Sequence, residues 1–247
     1  MTDTHDLHPA TDWLENLARD RLLAEMSLWS ADLGRLVDDI QRVEAFTDIF
    51  HIDVADGHFS PALLFFPDLV TATRRATAKP LHVHLMVADA ILIDQIGQFA
   101  EAGADLISIH AENANADAAL DLIHAKGLRP GIVMQLHSPV VAARPFLDRI
   151  SMLTFLGTLM GVKGKGLDDQ AEPRLAEAVA LIAAQRRRIV LAADGGIREH
   201  TVPGLRQAGA ETIVMGSLAF GAKDFRQRMD WVRALPSPIF NARKECN

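Results

Sequence analysis

Short apolar runs rich in β-branched residues alternate along the chain with longer stretches of helical periodicity. The runs predict strands at Leu22–Leu28, Ile49–Val54, Leu81–Met86, Leu106–His110, Gly131–Gln135, Ser151–Leu156, Ile189–Ala193 and Thr212–Met215. The stretches predict helices at Ala31–Glu44, Pro67–Ala76, Asp89–Ala102, Ala116–Lys126, Pro139–Phe146, Pro173–Gln185, Arg198–Ala208 and Ala222–Ala234. Strand–helix pairs repeated in this order imply a parallel sheet, because each helix carries the chain back to start the next strand. The strands are almost continuously apolar, as expected when both faces are buried. Glycine closes helical runs in "EAGAD" (101–105), "AKGLRPG" (125–131) and "QAGAE" (207–211), where it adopts a left-handed stop cheaply. Eight such units in 247 residues predict one closed (β/α)8 barrel, with an open doubly wound sheet as runner-up. The barrel is expected over residues 21–236. Residues 1–20 form an extension with helical character around Trp13, Leu14 and Leu17, and residues 237–247 an irregular tail.

Composition narrows the partners. Hydrophobic residues make up 49% of the chain, enough for a large core, and the net charge of −7 argues against nucleic acid or an anionic membrane. The one cysteine, Cys246, excludes a disulfide within the chain. The N-terminal twenty residues are acidic and lack an apolar segment, and no stretch approaches the ~20 apolar residues of a spanning helix. The expected location is the cytoplasm.

In this fold chemistry sits at the C-terminal ends of the strands. Polar residues interrupt those ends at His51 and Asp53 on strand two, His82 and His84 on strand three, and Asp194 at the tip of strand seven. Residues two apart on a strand share a face, so His51 pairs with Asp53, and His82 with His84. Ser27 and Ser30 follow on strand one, His110 and Glu112 end strand four, and Gln135 and His137 end strand five. Taken singly, His82, His110, His124 and His137 read as ordinary hydrogen-bonded core or loop histidines. The set His51, Asp53, His84 and Asp194 reads differently. Converging imidazoles and carboxylates are costly to bury without a partner, and a divalent cation supplies one. Two nitrogen and two oxygen ligands suit Zn, Fe, Mn or Co better than Ca or Mg.

Glycine clusters follow the last three strands: "LGTLMGVKGKG" (156–166), "DGG" (194–196) and "MGSLAFG" (215–221). Glycine lets backbone N–H groups approach an anion, so Gly195, Gly196, Gly216 and Ser217 are candidate phosphate ligands. Lys165, with Lys163 beside it in the strand-six loop, could add a charge contact, or both could be solvated loop charges.

The segments "EMSLWSADLGRL" (25–36), "HIDVADGHFSP" (51–61), "LHVHLMV" (81–87), "AGADLISIHAE" (102–112), "ADGGI" (193–197) and "VMGSLAFG" (214–221) together resemble the ribulose-phosphate 3-epimerase family. The resemblance implies a barrel enzyme that inverts the carbon next to the ketone of a ketose phosphate. It implies metal ligation by His51, Asp53, His84 and Asp194, and proton transfer by Asp53 and Asp194 from opposite faces through a metal-stabilised cis-enediolate. It also implies substrate contacts at Ser27 and His84, and phosphate binding at Gly195, Gly196, Gly216 and Ser217. The expected partner is a small sugar phosphate, and the chain is expected to form a homo-oligomer.

Three departures stand out. Ala55 replaces the family's usual methionine, and His82 its usual aspartate. The strand-six loop reads "GTLMGVKGKGLDDQ" where the family usually has "NPGFGGQ", which opens the substrate to a tetrulose, hexulose or L-pentulose phosphate. Two alternatives compete: another phosphate-binding barrel enzyme such as a decarboxylase or aldolase, and a non-catalytic sugar-phosphate sensor. The first normally needs a lysine near a strand end, whereas Lys79 and Lys126 precede strands three and five.

Overall fold

A computed structural model describes residues 7–236; the tail expected at 237–247, with Cys246, lies outside them. Eight parallel strands close into a barrel in sequence order, sealed by β1 against β8, where Leu23 pairs with Thr212 and Met26 with Met215. The strands are β1 Leu23–Ser27, β2 Ile49–Ala55, β3 Leu81–Met86, β4 Leu106–His110, β5 Arg129–Met134, β6 Met152–Leu156, β7 Val190–Asp194 and β8 Thr212–Met215. Almost every strand residue is buried, which explains why their sequences are apolar throughout.

The helices are α1 Leu36–Val43, α2 Pro67–Ala76, α3 Asp89–Glu101, α4 Ala116–Ala125, α5 Ala171–Ile182, α6 Val202–Gln207, α7 Ser217–Phe220 and α8 Phe225–Ala234. Local chemistry accounts for where these depart from expectation. The predicted helix at Pro139–Phe146 is a 3-10 segment, Val140–Phe146, with Pro145 inside it. Proline has no N–H for an α-helical bond and crowds the preceding turn. The helix expected from Ala31 begins instead as a 3-10 turn at Leu33–Arg35, where the Asp32 carboxylate accepts from the Gly34 N–H. The last helix starts at Phe225 rather than Ala222, because the Asp224 carboxylate caps it by accepting from the Gln227 N–H. The helix expected from Arg198 starts at Val202, with Pro203 in its first turn.

Residues 11–17 form turns rather than a helix and pack under the barrel. Trp13 and Leu14 join Leu23, Ile49, Leu106, Met152 and Val190 in an apolar cluster at the N-terminal ends of the strands. Arg188 fastens this segment by donating to the carbonyls of Leu14, Leu17 and Ala18. This segment thus plugs the end opposite the one where barrel chemistry occurs. Among the described residues no helix is long and apolar enough to cross a membrane.

Candidate active site

Strand register brings the polar residues of β1 to β4 side by side. Ser27 pairs with His51, His51 with His82, Asp53 with His84, and His84 with Ser108. Asp194 ends β7, opposite Leu156. At the mouth, Asp53 Oδ1 lies 3.1 Å from His51 Nε2 and 3.5 Å from His84 Nδ1. Its Oδ2 accepts the Ser27 hydroxyl at 3.0 Å. Asp194 Oδ2 is 3.8 Å from the same His84 Nδ1. One ligand atom from each of His51, Asp53, His84 and Asp194 lies within 4.8 Å of the others.

This donor set fits a metal. Ligand atoms bound about 2.0–2.2 Å from one cation stand roughly 3–4 Å from each other. His84 Nδ1 is buried without a hydrogen-bond partner, a cost that a cation would remove. The other nitrogen of each histidine is already engaged. His51 Nδ1 donates to Glu25 Oε1 at 2.7 Å, so its Nε2 faces the site. His84 Nε2 shares a hydrogen bond with His110 Nε2 at 2.9 Å, so its Nδ1 faces the site. His110 in turn places Nδ1 3.3 Å from Glu112 Oε2. Such outer partners fix the tautomer and orientation of ligating imidazoles.

The two aspartates are driven apart electrostatically. Burial pushes the Asp53 carboxyl up, but His51 and His84 more than offset it, leaving Asp53 well below the ordinary carboxylate range. Burial also pushes up Asp194, His51 only partly opposes it, and the nearby Asp53 charge adds to the rise, to about 6. Burial lowers the basicity of His51, yet Asp53 and Glu25 raise it well above an ordinary imidazole. His110 is depressed to about 4, mainly by burial.

Above the carboxylates opens a cavity of about 290 Å3, with Ser27, Asp53, His84 and Asp194 among its walls. Gly195, Gly196, Gly216 and Ser217 line it too, as do Ser30, Lys163, Lys165 and Arg198. Gly195 (φ 85°) and Gly196 (φ 71°) hold positive φ, which bends the backbone after β7 towards the cavity at positions where a side chain would be strained. A Cβ on Gly216 would come within 2.6 Å of the Ser30 hydroxyl, which would have to turn away to admit it. The Lys163 ammonium donates to the Trp29 carbonyl at 2.7 Å and lies 5.3 Å from the centre of its ring, tying the strand-six loop to the strand-one loop.

All four predicted ligands, with Ser27, therefore converge. His82 is the satisfied core histidine expected, between Glu25 and the Ser108 hydroxyl. His124 lines a separate cleft with Asp105 and Arg129. His110 is likewise a buried, hydrogen-bonded histidine, and the ring it holds is that of His84. Glu25 is the residue that sequence reasoning passed over. Its signal was present: a carboxylate two residues before Ser27, inside the apolar run "LLAEMSL", must share a face with that serine.

A closed parallel barrel with a buried histidine–aspartate cluster at its C-terminal mouth is the layout of a (β/α)8 enzyme. The profile of the ribulose-phosphate 3 epimerase family matches residues 23–220. Ribulose-phosphate 3-epimerase of Bacillus subtilis is 32% identical, covering 84% of this chain and 96% of its own length. Ribulose-phosphate 3-epimerase 2 of Cupriavidus necator is 34% identical over 80% of this chain and 84% of its own, and the Escherichia coli enzyme 30% over 84% and 93%. The chain belongs to the ribulose-phosphate 3-epimerase family and is an isomerase. Among solved structures, a 3-hexulose-6-phosphate synthase aligns with TM-score 0.63 at 17% identity, covering 88% of this chain and all of that one. Orotidine 5'-phosphate decarboxylase from Pyrococcus horikoshii aligns with TM-score 0.61 at 12% identity, over 85% and 97%. At such identities these two share the fold alone.

Proposed function

We propose that the protein is a metal-dependent 3-epimerase of a ketose phosphate, interconverting ribulose 5-phosphate and xylulose 5-phosphate or a close relative of that pair. The observation that carries this reading is the buried set His51, Asp53, His84 and Asp194, with ligand atoms all within 4.8 Å and two carboxylates of opposite displacement. Inverting a carbon beside a ketone requires one base, one acid and a dry site with a stabilised oxyanion. One of Asp53 and Asp194 would remove the C3 proton and the other return one on the opposite face; in the reverse direction the roles exchange. Ser27, donating to Asp53 Oδ2, orients that carboxylate and is placed to reach the substrate. A divalent transition metal (Zn, Fe, Mn or Co) held by His51, Asp53, His84 and Asp194 would supply positive charge to the enediolate oxygens.

The phosphate is assigned to the backbone of Gly195, Gly196, Gly216 and Ser217, with Lys165 as an added charge. A cavity of about 290 Å3 stands at the small end of the roughly 300–1,000 Å3 usual for small-molecule sites, which favours a short sugar phosphate. Residues 21–236 would be the working barrel, and the described part of the 1–20 extension, from residue 7, its plug. Leu33, Val37 and Phe66, exposed together beside one groove, support a homo-oligomer. Cysteine usage and a net charge of −7 support a cytoplasmic enzyme without nucleic-acid or membrane partners. The test is a panel of ketose phosphates in deuterated water: exchange at C3 with formation of the epimer supports the reading, and no exchange with any of them refutes it.

A further inference from the structure

Beneath the metal-binding set lies a second polar layer, formed by Glu25 on β1, His82 on β3 and Ser108 on β4. Glu25 and His82 are fully buried, and a bare carboxylate at that depth is expensive unless it is tied to donors. Glu25 Oε1 accepts from His51 Nδ1 at 2.7 Å and also from His82 Nδ1. His82 is held from its other side by the Ser108 hydroxyl at 2.7 Å, so Glu25 Oε1 has a fixed seat between two imidazoles, while Oε2 is buried without a partner among the described residues. Through that seat Glu25 decides which His51 nitrogen carries hydrogen and where the ring points.

We propose that Glu25 is the positioning residue of the metal centre, holding His51 with Nε2 presented to the cation. This rests on the metal-dependent reading above, and it goes further by locating the support on β1. Register supplies an independent check. Position 82 sits directly opposite His51 in the β2–β3 ladder, so a shorter carboxylate placed there could reach the same ring nitrogen from β3. The pairing of glutamate at 25 with histidine at 82 then reads as one support displaced by one strand on each side of His51.

The test measures metal affinity of the full chain directly, by competition with a chromophoric chelator for Co2+ and Zn2+, and the Co2+ absorption spectrum. Outer partners of ligating histidines are worth about 10–100-fold in metal affinity. Glu25→Ala is expected to weaken binding by that amount and to shift the Co2+ spectrum. Glu25→Gln, which keeps an acceptor oxygen, should lose less. The double variant Glu25→Ala/His82→Asp should recover most of the affinity, which a merely structural role would not predict. If Glu25→Ala does not fold by near-ultraviolet circular dichroism, Glu25→Gln and the double variant decide. Unchanged affinity in folded Glu25→Ala, or no recovery in the folded double variant, overturns the proposal while leaving the metal reading intact. Two metals per chain in the parent protein would also overturn it, because Glu25, His51 and His82 would then be ligands of a second ion. A parent protein that binds no metal overturns both.

Discussion

Asp53 and Asp194 converge on one ring nitrogen, His84 Nδ1, from 3.5 Å and 3.8 Å, yet their carboxyls are displaced in opposite directions. Two like charges this close cannot both ionise freely in a buried site. Asp53 gains His51 and the Ser27 hydroxyl as partners, and Asp194 bears the repulsion. In the metal-free site the two carboxyls therefore differ in how readily they take a proton.

Replacing either aspartate should therefore stop the chemistry. Asp53→Asn and Asp194→Asn are each expected to lower kcat for C3 inversion by at least about 10²–10⁴-fold. Lys165→Ala should instead act mainly on KM, by several-fold. Steady-state kinetics of the three variants checks this; a larger kcat loss in Lys165→Ala than in Asp194→Asn would move the chemistry into the strand-six loop.

Metal removal should separate folding from function. Dialysis against a chelator is expected to abolish activity while leaving the barrel's circular dichroism intact, and one equivalent of a divalent transition metal should restore it. Full turnover by protein shown by elemental analysis to be metal-free would contradict the assigned donor set.

The stability of the metal-free protein should depend on pH in a stated direction. Asp194 binds its proton more tightly folded, near 6, than unfolded, near 3.8, so its contribution is complete below the lower value and is lost as pH rises through the upper one. His51, raised above its ordinary value, adds a loss of the same sign at higher pH. His110, depressed from 6.5 to about 4, contributes in the opposite sense over the same range, so the Asp194 part is read as a difference. In denaturant titrations from about pH 4 to 7, the stability of the parent relative to Asp194→Asn should fall between about 4 and 6. Parallel pH profiles in parent and variant would place the titration elsewhere.

The plug at the barrel floor should affect stability and not catalysis. Trp13→Ala removes a large ring from the cluster around Leu23, Leu106 and Val190 and should cost about 3 kcal/mol. Its kcat should match the parent enzyme, because the ring sits at the end opposite the cavity. A large fall in kcat with an unchanged Tm would show that the extension reaches the site.

The barrel was legible because eight apolar runs, each followed by a helical stretch, leave few other ways to bury so much surface. His51 and Asp53 were legible from strand parity, and Asp194 from its place at a strand tip. Glu25 was not, although parity points to it, because attention to strand ends passes over a charge in mid-strand. The contact of His110 with His84 was not legible for another reason: which ring a hydrogen-bonded core histidine meets is decided only by the fold. The 3-10 segment at Val140–Phe146 eluded periodicity because an apolar pattern does not record the backbone bond that Pro145 removes.

The central claim is that Asp53 and Asp194 exchange a proton at C3 of a ketose phosphate. Incubating the metal-loaded enzyme with ribulose 5-phosphate, xylulose 5-phosphate and their tetrulose, hexulose and L-pentulose counterparts in deuterated water, with NMR at C3, tests it most directly. At least one substrate should gain deuterium at C3 and give its epimer, and both signals should vanish in Asp194→Asn. Retention of hydrogen at C3 across the whole panel, in enzyme that has bound its metal, would contradict the account.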